Sequence, residues 1–488
     1  MYKNNSLQNW VAKIDPRAYA ILIGLSIGLI AGVTALSIAV LGPALTIAII
    51  LGILLGLYIL TDLSAALYGI IMVMFLLPFG TSPVKIGFTP TLIDFTLGAF
   101  LLVYAFQWMT GRRRAFQFLP VQAFIAFFLM WLILAFAFGL RYGMPTSTNL
   151  RQFAEMLLAI SMVFILPDII RDKKALRRLS LVIILAIACQ SIITLILYIV
   201  PESTTENLLV RLARLGYPNG GVIRYIEDNP ALAERAIGTW VDPNALGGIM
   251  ATGATLMMTQ IFARKPIIHS RWLNLLILAC VGLGLLLTFS RASFLAFGVG
   301  VVLMAFLRYR KLIPLMIIAG LLFLMLPQTQ DYIERLVDAF QGEDLATQMR
   351  VGEWSDSIDL IREFPLLGIG FTGTPRIGLY ADVANMYLIM GNKIGLMGVI
   401  VFLTAMGAVL TYGYKNLARA FPDPDLEALH LGYHVMLVVI LINAVADHYY
   451  FRLDFQGSIM WMWLIVALAI ISSHLAQQDN QPLLIKEN

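Results

Sequence analysis

Runs of roughly 20 apolar residues, the length that carries an α-helix across a hydrocarbon core, recur from Ala18 to Ser472 with only short polar breaks between them. Nothing else in the chain constrains its fold as strongly. Lipid offers no hydrogen-bond partners to a peptide backbone, so segments of this length and apolarity read as helices. Composition agrees: 13% of the residues are charged and mean hydropathy is +0.83, whereas a soluble domain carries roughly 25% charged residues. A water-soluble fold is excluded. The expectation is an all-α integral membrane protein, a polytopic bundle of about 12–14 transmembrane helices forming a single membrane domain over residues 1–488.

Apolar runs set against polar breaks put spans near residues 18–40, 44–60, 64–79, 90–108, 117–140, 151–168 and 178–200. Seven more fall near 244–263, 273–288, 290–307, 312–326, 386–411, 431–447 and 455–472. The first run is too long for a signal-peptide core and lacks a small-residue cleavage site, so it reads as a retained anchor. Cys189 and Cys280 both fall inside apolar runs, which gives neither a disulfide framework nor a metal-ligand spacing. No metal and no cofactor is expected. The net charge of +5 does not point to nucleic acid, because basic loops in a membrane protein set its orientation.

Lys and Arg collect on the cytoplasmic side. With the N-terminus inside, Arg112 to Arg114, Arg171 to Arg178, Arg264 with Lys265 and Arg271, Arg308 to Lys311, and Lys415 with Arg419 all fall in cytoplasmic breaks. The short break at Thr61 and Asp62 has no basic residue and is the exception. The expected location is thus the inner, cytoplasmic membrane, multi-pass, with both termini cytoplasmic. Two long segments are left outside, residues 201–243 and 327–385. Within the second, Ile333, Leu336, Val337 and Phe340 share one helical face and Trp354, Ile358 and Ile361 another, which reads as two amphipathic helices lying along the membrane surface.

The outer face uses arginine almost exclusively, Lys85 and Lys393 being its lysines. A guanidinium grips phosphate through two parallel hydrogen bonds and keeps its charge when partly desolvated; an ammonium is a hydrated point charge. Outer arginines are therefore candidates for holding a phosphorylated, membrane-bound ligand. The plainer reading is local ion pairing, and it suffices for Arg211, Arg214, Arg335, Arg362 and Arg376. Arg291 and Arg235 stand apart. Arg291 follows Thr288-Phe289-Ser290 at a hinge between two apolar runs, where a charge needs a partner or a water-filled cavity. Arg235 precedes the helix-opening Asp242-Pro243-Asn244, near the positive end of the next span.

Several fragments now stand in order: Arg235-Ala-Ile-Gly238-Thr239-Trp240-Val-Asp-Pro243-Asn244, then Thr288-Phe-Ser290-Arg291-Ala, then Arg350 and Trp354. Pro365-Leu-Leu-Gly368-Ile-Gly370 and Asn385-Met-Tyr387-Leu388 before Gly395 follow. Across residues 230–410 the chain resembles the O-antigen ligase and polymerase-type membrane glycosyltransferases. The resemblance implies metal-independent glycan transfer on the outer face of the cytoplasmic membrane. The donor would be an undecaprenyl-pyrophosphate-linked glycan, and the acceptor another glycan, lipid A core or a protein. Membrane lipid surrounds the enzyme, a chain-length regulator or flippase is a conceivable partner, and nucleic acid is not.

By that resemblance Arg235 and Arg291 would clamp the pyrophosphate, with Arg350 as a third group and Arg452 beside them, while Asn244, Asn385 and Tyr387 would position substrate. Arg350 equally fits an ion pair with Glu353 one helical turn away. Ligases of the family carry a histidine just before the Asn-x-Tyr-Leu segment, and here that position is Ala384. The remaining outer candidates for a catalytic base are Asp382 and the Asp447-His448 pair. Without the histidine, polymerisation of a polysaccharide repeat unit gains weight over ligation. Glu155 and Asp94, near outer helix ends, either pair with arginine or point into the cavity. A lipid-linked sugar flippase is the alternative of another class, but no repeated halves are visible, as such transporters show. A peptidoglycan polymerase fits the long outer loop less well.

Overall fold

A computed structural model describes residues 42, 46, 50, 62–82, 89–113, 116–325, 345–373 and 383–478. The chain divides into two compact units, residues 1–66 with 99–106 and residues 67–98 with 107–488. Helices α1 (Leu63–Leu76), α2 (Leu92–Met109), α3 (Gln122–Gly139), α4 (Ser147–Ile169) and α5 (Lys173–Ile199) come first. A short α6 (Glu202–Arg211), single-turn 3-10 segments and the two-residue strands β1 (Arg224–Tyr225) and β2 (Glu234–Arg235) fill the next connection. The antiparallel pair sets Arg224 opposite Arg235. Helices α7 (Pro243–Phe262), α8 (Arg271–Leu287), α9 (Arg291–Leu307), α10 (Leu312–Met325), α11 (Leu345–Glu363), α12 (Met386–Ala420), α13 (Glu427–Asn443) and α14 (Gln456–Gln478) follow.

Seven of these helices are long and apolar enough to cross a membrane, and four more are apolar but shorter. The all-α polytopic architecture read from hydropathy therefore stands. The expected spans near 18–40 and 44–60 lie almost wholly outside the described residues, as does the amphipathic face of Ile333 to Phe340. Helix boundaries follow local chemistry. Thr146 caps α4 by accepting from the Asn149 amide, and Asp172 caps α5 through Ala175. Each starts its helix a turn or so before the apolar run, because a capping oxygen satisfies an amide that the helix leaves orphaned.

The centre of the second unit is α14, buried along its length and packed by α4, α12 and α13. Helix α7, also buried for most of its turns, packs on α8, α9 and α13. The aromatic core reflects this: Trp461 meets Phe75 edge-on with centroids 4.9 Å apart, and its Nε1 donates to Thr252 at 3.0 Å. Gly248 lets α7 approach the chain after α13, since a β-carbon there would lie 2.2 Å from the Tyr449 hydroxyl. Small residues at such contacts are how membrane helices pack closely.

Helix α12 is broken. Gly395 adopts φ +73° within it, and the Pro365–Gly370 segment docks into the gap. Ile369 N–H donates to the Asn392 carbonyl at 2.8 Å, Gly370 N–H to Lys393 at 2.9 Å, and Leu396 N–H back to Pro365 at 2.8 Å. Trp131 Nε1 takes the Ile394 carbonyl at 3.0 Å. Irregular backbone inside a helical bundle is tolerated where other groups satisfy it, and here a neighbouring turn does so bond for bond. Gly368, at φ +63°, has no room for a side chain: a β-carbon would sit 2.4 Å from the Asn392 carbonyl oxygen. Helix α11 packs on the same region through buried Ser357, whose hydroxyl donates to Asn392 at 2.9 Å. Trp354 and Ile358 stay exposed.

The two ends of the bundle carry different chemistry. At one, buried Glu427 at the start of α13 pairs with Arg264 at 2.8 Å and Arg308 at 2.9 Å. Lys173 pairs there with Asp423, and Lys265 with Asp425, while Arg113 and Arg171 hold buried Asp168. The other end gathers the starts of α4, α7, α9, α12 and α14, and it holds nearly all the candidate site residues.

Candidate active site

Asp242 closes the start of α7, its carboxylate accepting from the Asn244 and Ala245 amides at 2.8 Å each. Pro243 at the first helical position needs no such partner. With the cap supplied by Asp242, the Asn244 side chain is available, and its Oδ1 accepts from Arg235 Nη2 at 2.6 Å. Arg235 Nε donates to the Thr288 carbonyl at 2.8 Å, and the next residue's amide donates to the Leu287 carbonyl at 2.7 Å. Strand β2 is thus stitched across the end of α8 and the start of α7. Burial lowers the affinity of the Arg235 guanidinium for its proton; the charges of Asp242, Asp447 and Asp228 work against that, and Arg291 adds to it.

Arg291 occupies the first position of α9, after a sharp reversal at Phe289, whose φ of +49° is in the left-handed region. Val241, just before the α7 cap, is likewise left-handed at φ +58°. Non-glycine residues held in this region cost about 1–3 kcal/mol and gather at ligand clamps and active sites. Both turns flank the same pair of arginines. Beneath them runs a buried polar chain: Ser290 to Ser293 at 2.9 Å, Asn443 Nδ2 to Ser293 at 2.8 Å, and Tyr449 hydroxyl to Asn443 Oδ1 at 2.6 Å. It ties the α8–α9 turn to the segment that carries Asp447 and His448.

That segment also holds the second group of candidates. Asp447 is buried, and its carbonyl accepts from the Met386 amide at 2.9 Å. His448 Nε2 lies 3.0 Å from Arg452 Nη1. A guanidinium only donates, so Nε2 is the acceptor and the neutral ring carries its proton on Nδ1. Arg452 Nε in turn donates to Asp454 at 2.9 Å. Arg452 thus lines a cavity of about 230 Å³ together with Lys393 of α12 and Gln152 of α4.

Asn385 and Tyr387 are engaged in the fold. Asn385 caps α12, accepting from the Tyr387 and Leu388 amides at 2.9 and 3.1 Å, and the Tyr387 hydroxyl donates to the Leu441 carbonyl at 2.6 Å. Arg350 lies on α11, with its side chain outside the described residues, as is all of Asp382. The helix-end acids pair with an arginine: Arg151 meets Asp94 at 3.0 Å and also Glu155. Sequence reasoning took Glu353 only as a partner for Arg350. Its carboxylate lies 3.4 Å from the Ala384 amide, accepting from it. No linear pattern announces that contact, because it joins α11 to the start of α12 through the fold. Among the described residues, no group of three or more His, Cys, Asp or Glu is gathered as a metal site would require.

Residues 275–403 match the O-antigen ligase family. This segment is similar to the O-antigen ligase family. The match begins in α8 and ends just past the break in α12, so the O-antigen ligase segment holds Arg291, Glu353, Asn385, Tyr387 and Lys393. Arg235 and Asn244 precede it, and Asp447, His448 and Arg452 follow it, yet all pack at the same end of the bundle. No curated protein matches the chain. The O-antigen ligase family implies a lipid-linked glycan and an acceptor as substrates in general, and the long apolar helices fit a multi-pass membrane protein.

Proposed function

We propose that the chain is a metal-independent membrane glycosyltransferase that polymerises undecaprenyl-pyrophosphate-linked glycan units on the outer face of the cytoplasmic membrane. One observation carries the reading: the partly buried Arg235 guanidinium is held by Asn244 and the Thr288 carbonyl, beside the turn after which Arg291 opens α9. A guanidinium fork oriented in advance suits the oxygens of a pyrophosphate leaving group, which it can grip through parallel hydrogen bonds. Charge that develops on the leaving oxygen is then met by donors already in place, which is the largest single source of catalysis in many enzymes. Arg350, one turn before Glu353, is proposed as a third donor to the same group.

In the transfer, a hydroxyl oxygen of the acceptor forms a bond to the anomeric carbon of the donor as the bond from that carbon to the pyrophosphate oxygen breaks. The hydroxyl proton passes to Glu353. We assign it this role because it lies against the backbone of Ala384, where related ligases carry a histidine, and a base must be within hydrogen-bond reach of its proton. His448 has its lone pair engaged by Arg452, so its proposed task is to position that arginine; buried Asp447 is proposed to assist from the same segment. Asn244 orients Arg235, while Asn385 and Tyr387 shape the start of α12.

Orientation is supported by the opposite end of the bundle, where Arg113, Arg171, Lys173, Arg264, Lys265 and Arg308 collect. Basic residues mark the cytoplasmic side. The family match itself favours a second reading, ligation of a finished glycan to lipid A core or to a protein. Purified protein given a lipid-pyrophosphate-linked repeat unit separates the two: a ladder means polymerisation, and one product formed only with an added acceptor means ligation. Arg235→Ala and Arg291→Ala should each cut formation of either product by about 10²–10³-fold, and full activity in both would remove the clamp.

A further inference from the structure

Between α5 and α7 the chain turns back on itself in the hairpin of β1 and β2, whose register sets Arg224 directly opposite Arg235 and Tyr225 opposite Glu234. Directly opposed residues of an antiparallel pair project from the same face, with β-carbons about 4.5–5.5 Å apart, and the next pair projects from the other face. The Arg235 side chain runs to Asn244 and the Thr288 carbonyl. Arg224 therefore stands on the face of the hairpin that meets the start of α7 and the end of α8, and it is exposed there.

The other face carries acid. The Tyr225 hydroxyl donates to Glu202 of α6 at 2.9 Å; that bond, and the charges of Glu202, Glu234 and Glu206, raise its hold on its proton. Glu206 also accepts from the Gly221 amide at 3.0 Å, just before β1. Acids of α6 thus hold one face of the hairpin, and the alternation of the two strands delivers a pair of arginines to the opposite one. Each guanidinium has five N–H donors in a planar fork, and two bonds on Arg235 serve to orient it. A pyrophosphate presents two phosphate groups, each of which such a fork can grip through parallel hydrogen bonds; a monophosphate presents one.

We infer that Arg224 is a further binding residue for the donor, gripping one phosphate group of its pyrophosphate while Arg235 beside it grips the other. This rests on the clamp proposed above and adds to it a residue from the connection that precedes the family-matched segment.

Titration calorimetry on the purified full chain, with no acceptor present, tests the inference by comparing farnesyl diphosphate with farnesyl monophosphate. The unaltered protein should bind the diphosphate more tightly. Arg224→Gln should weaken the diphosphate about tenfold or more, the scale of one hydrogen bond to a charged group, and leave the monophosphate nearly unchanged, which also shows that the variant is folded. Arg224→Lys should recover only part of the loss, because an ammonium lacks the fork. Arg211→Gln removes another exposed arginine, at the end of α6; it should leave both affinities unchanged, which separates contact from general attraction. No loss in Arg224→Gln, an equal loss for both ligands, or an equal loss in Arg211→Gln would overturn the inference. Diphosphate binding that still depends on Arg235 would then leave the clamp standing, whereas no diphosphate binding by the unaltered protein would overturn both.

Discussion

Arg235 and Asn244, nine positions apart, are joined by a 2.6 Å hydrogen bond across the entrance to α7. The bond exists because Asp242 takes over capping of that helix, releasing the asparagine to orient a guanidinium. Substituting Arg235 or Arg291 with alanine should cost about 10²–10³ in kcat, as removal of one preorganised donor does elsewhere. Arg235→Lys should recover little of it, since an ammonium cannot reproduce the fork that spans Asn244 and the Thr288 carbonyl. The readout is turnover of a lipid-linked repeat unit by protein shown to be folded in detergent.

Glu353→Gln should lower kcat by about 10²–10⁴, the range of general acid–base catalysis, while leaving donor binding in place. His448→Ala should instead raise the acceptor KM with a smaller change in kcat, because its Nε2 is committed to Arg452. Separate kcat and KM values for each variant check both assignments; equal losses of kcat would return His448 to the catalytic role.

The break in α12 should be sensitive to a single methyl group. Gly395→Ala would put a β-carbon 2.1 Å from the Leu366 carbonyl oxygen. It would also force a left-handed conformation that costs an L-residue roughly 1–2 kcal/mol by itself. A clear fall in thermal midpoint is expected, larger than for Gly407→Ala in the same helix, where a β-carbon meets open space.

At the opposite end, Glu427→Ala should destabilise the protein by about 1–3 kcal/mol, the cost of leaving a buried group's partners unsatisfied. The effect is moderated because Arg264 and Arg308 are 46% and 35% exposed. Glycan transfer at moderate temperature should be unaffected, and thermal unfolding in detergent measures the loss.

Helices were legible in the sequence because a bilayer leaves so few alternatives, and boundary errors trace to polar contacts that hydropathy does not see. Helix α12 continues to Ala420, past the apolar run, carrying Lys415 and Arg419 on its last turns. Its break at Gly395 was visible only as a glycine, because the partner that fills the gap, Pro365 to Gly370, lies in another segment. Arg235, Asn244 and Arg291 could be singled out, since each sits beside a helix start that the sequence marks. Glu353 could not, because its contact with Ala384 is made by folding α11 back against α12. The same holds for Arg452 and Lys393, 59 positions apart in the chain and lining one cavity.

The central claim is glycan transfer from a lipid pyrophosphate. Its most direct test is incubation of the purified protein with an undecaprenyl-pyrophosphate-linked repeat unit, with products resolved by size. The account predicts a ladder of lengthening glycans from the unaltered protein and one cut by about 10²–10³-fold from Arg235→Ala. An unchanged substrate with the unaltered protein, or a ladder of equal yield from the variant, would contradict it.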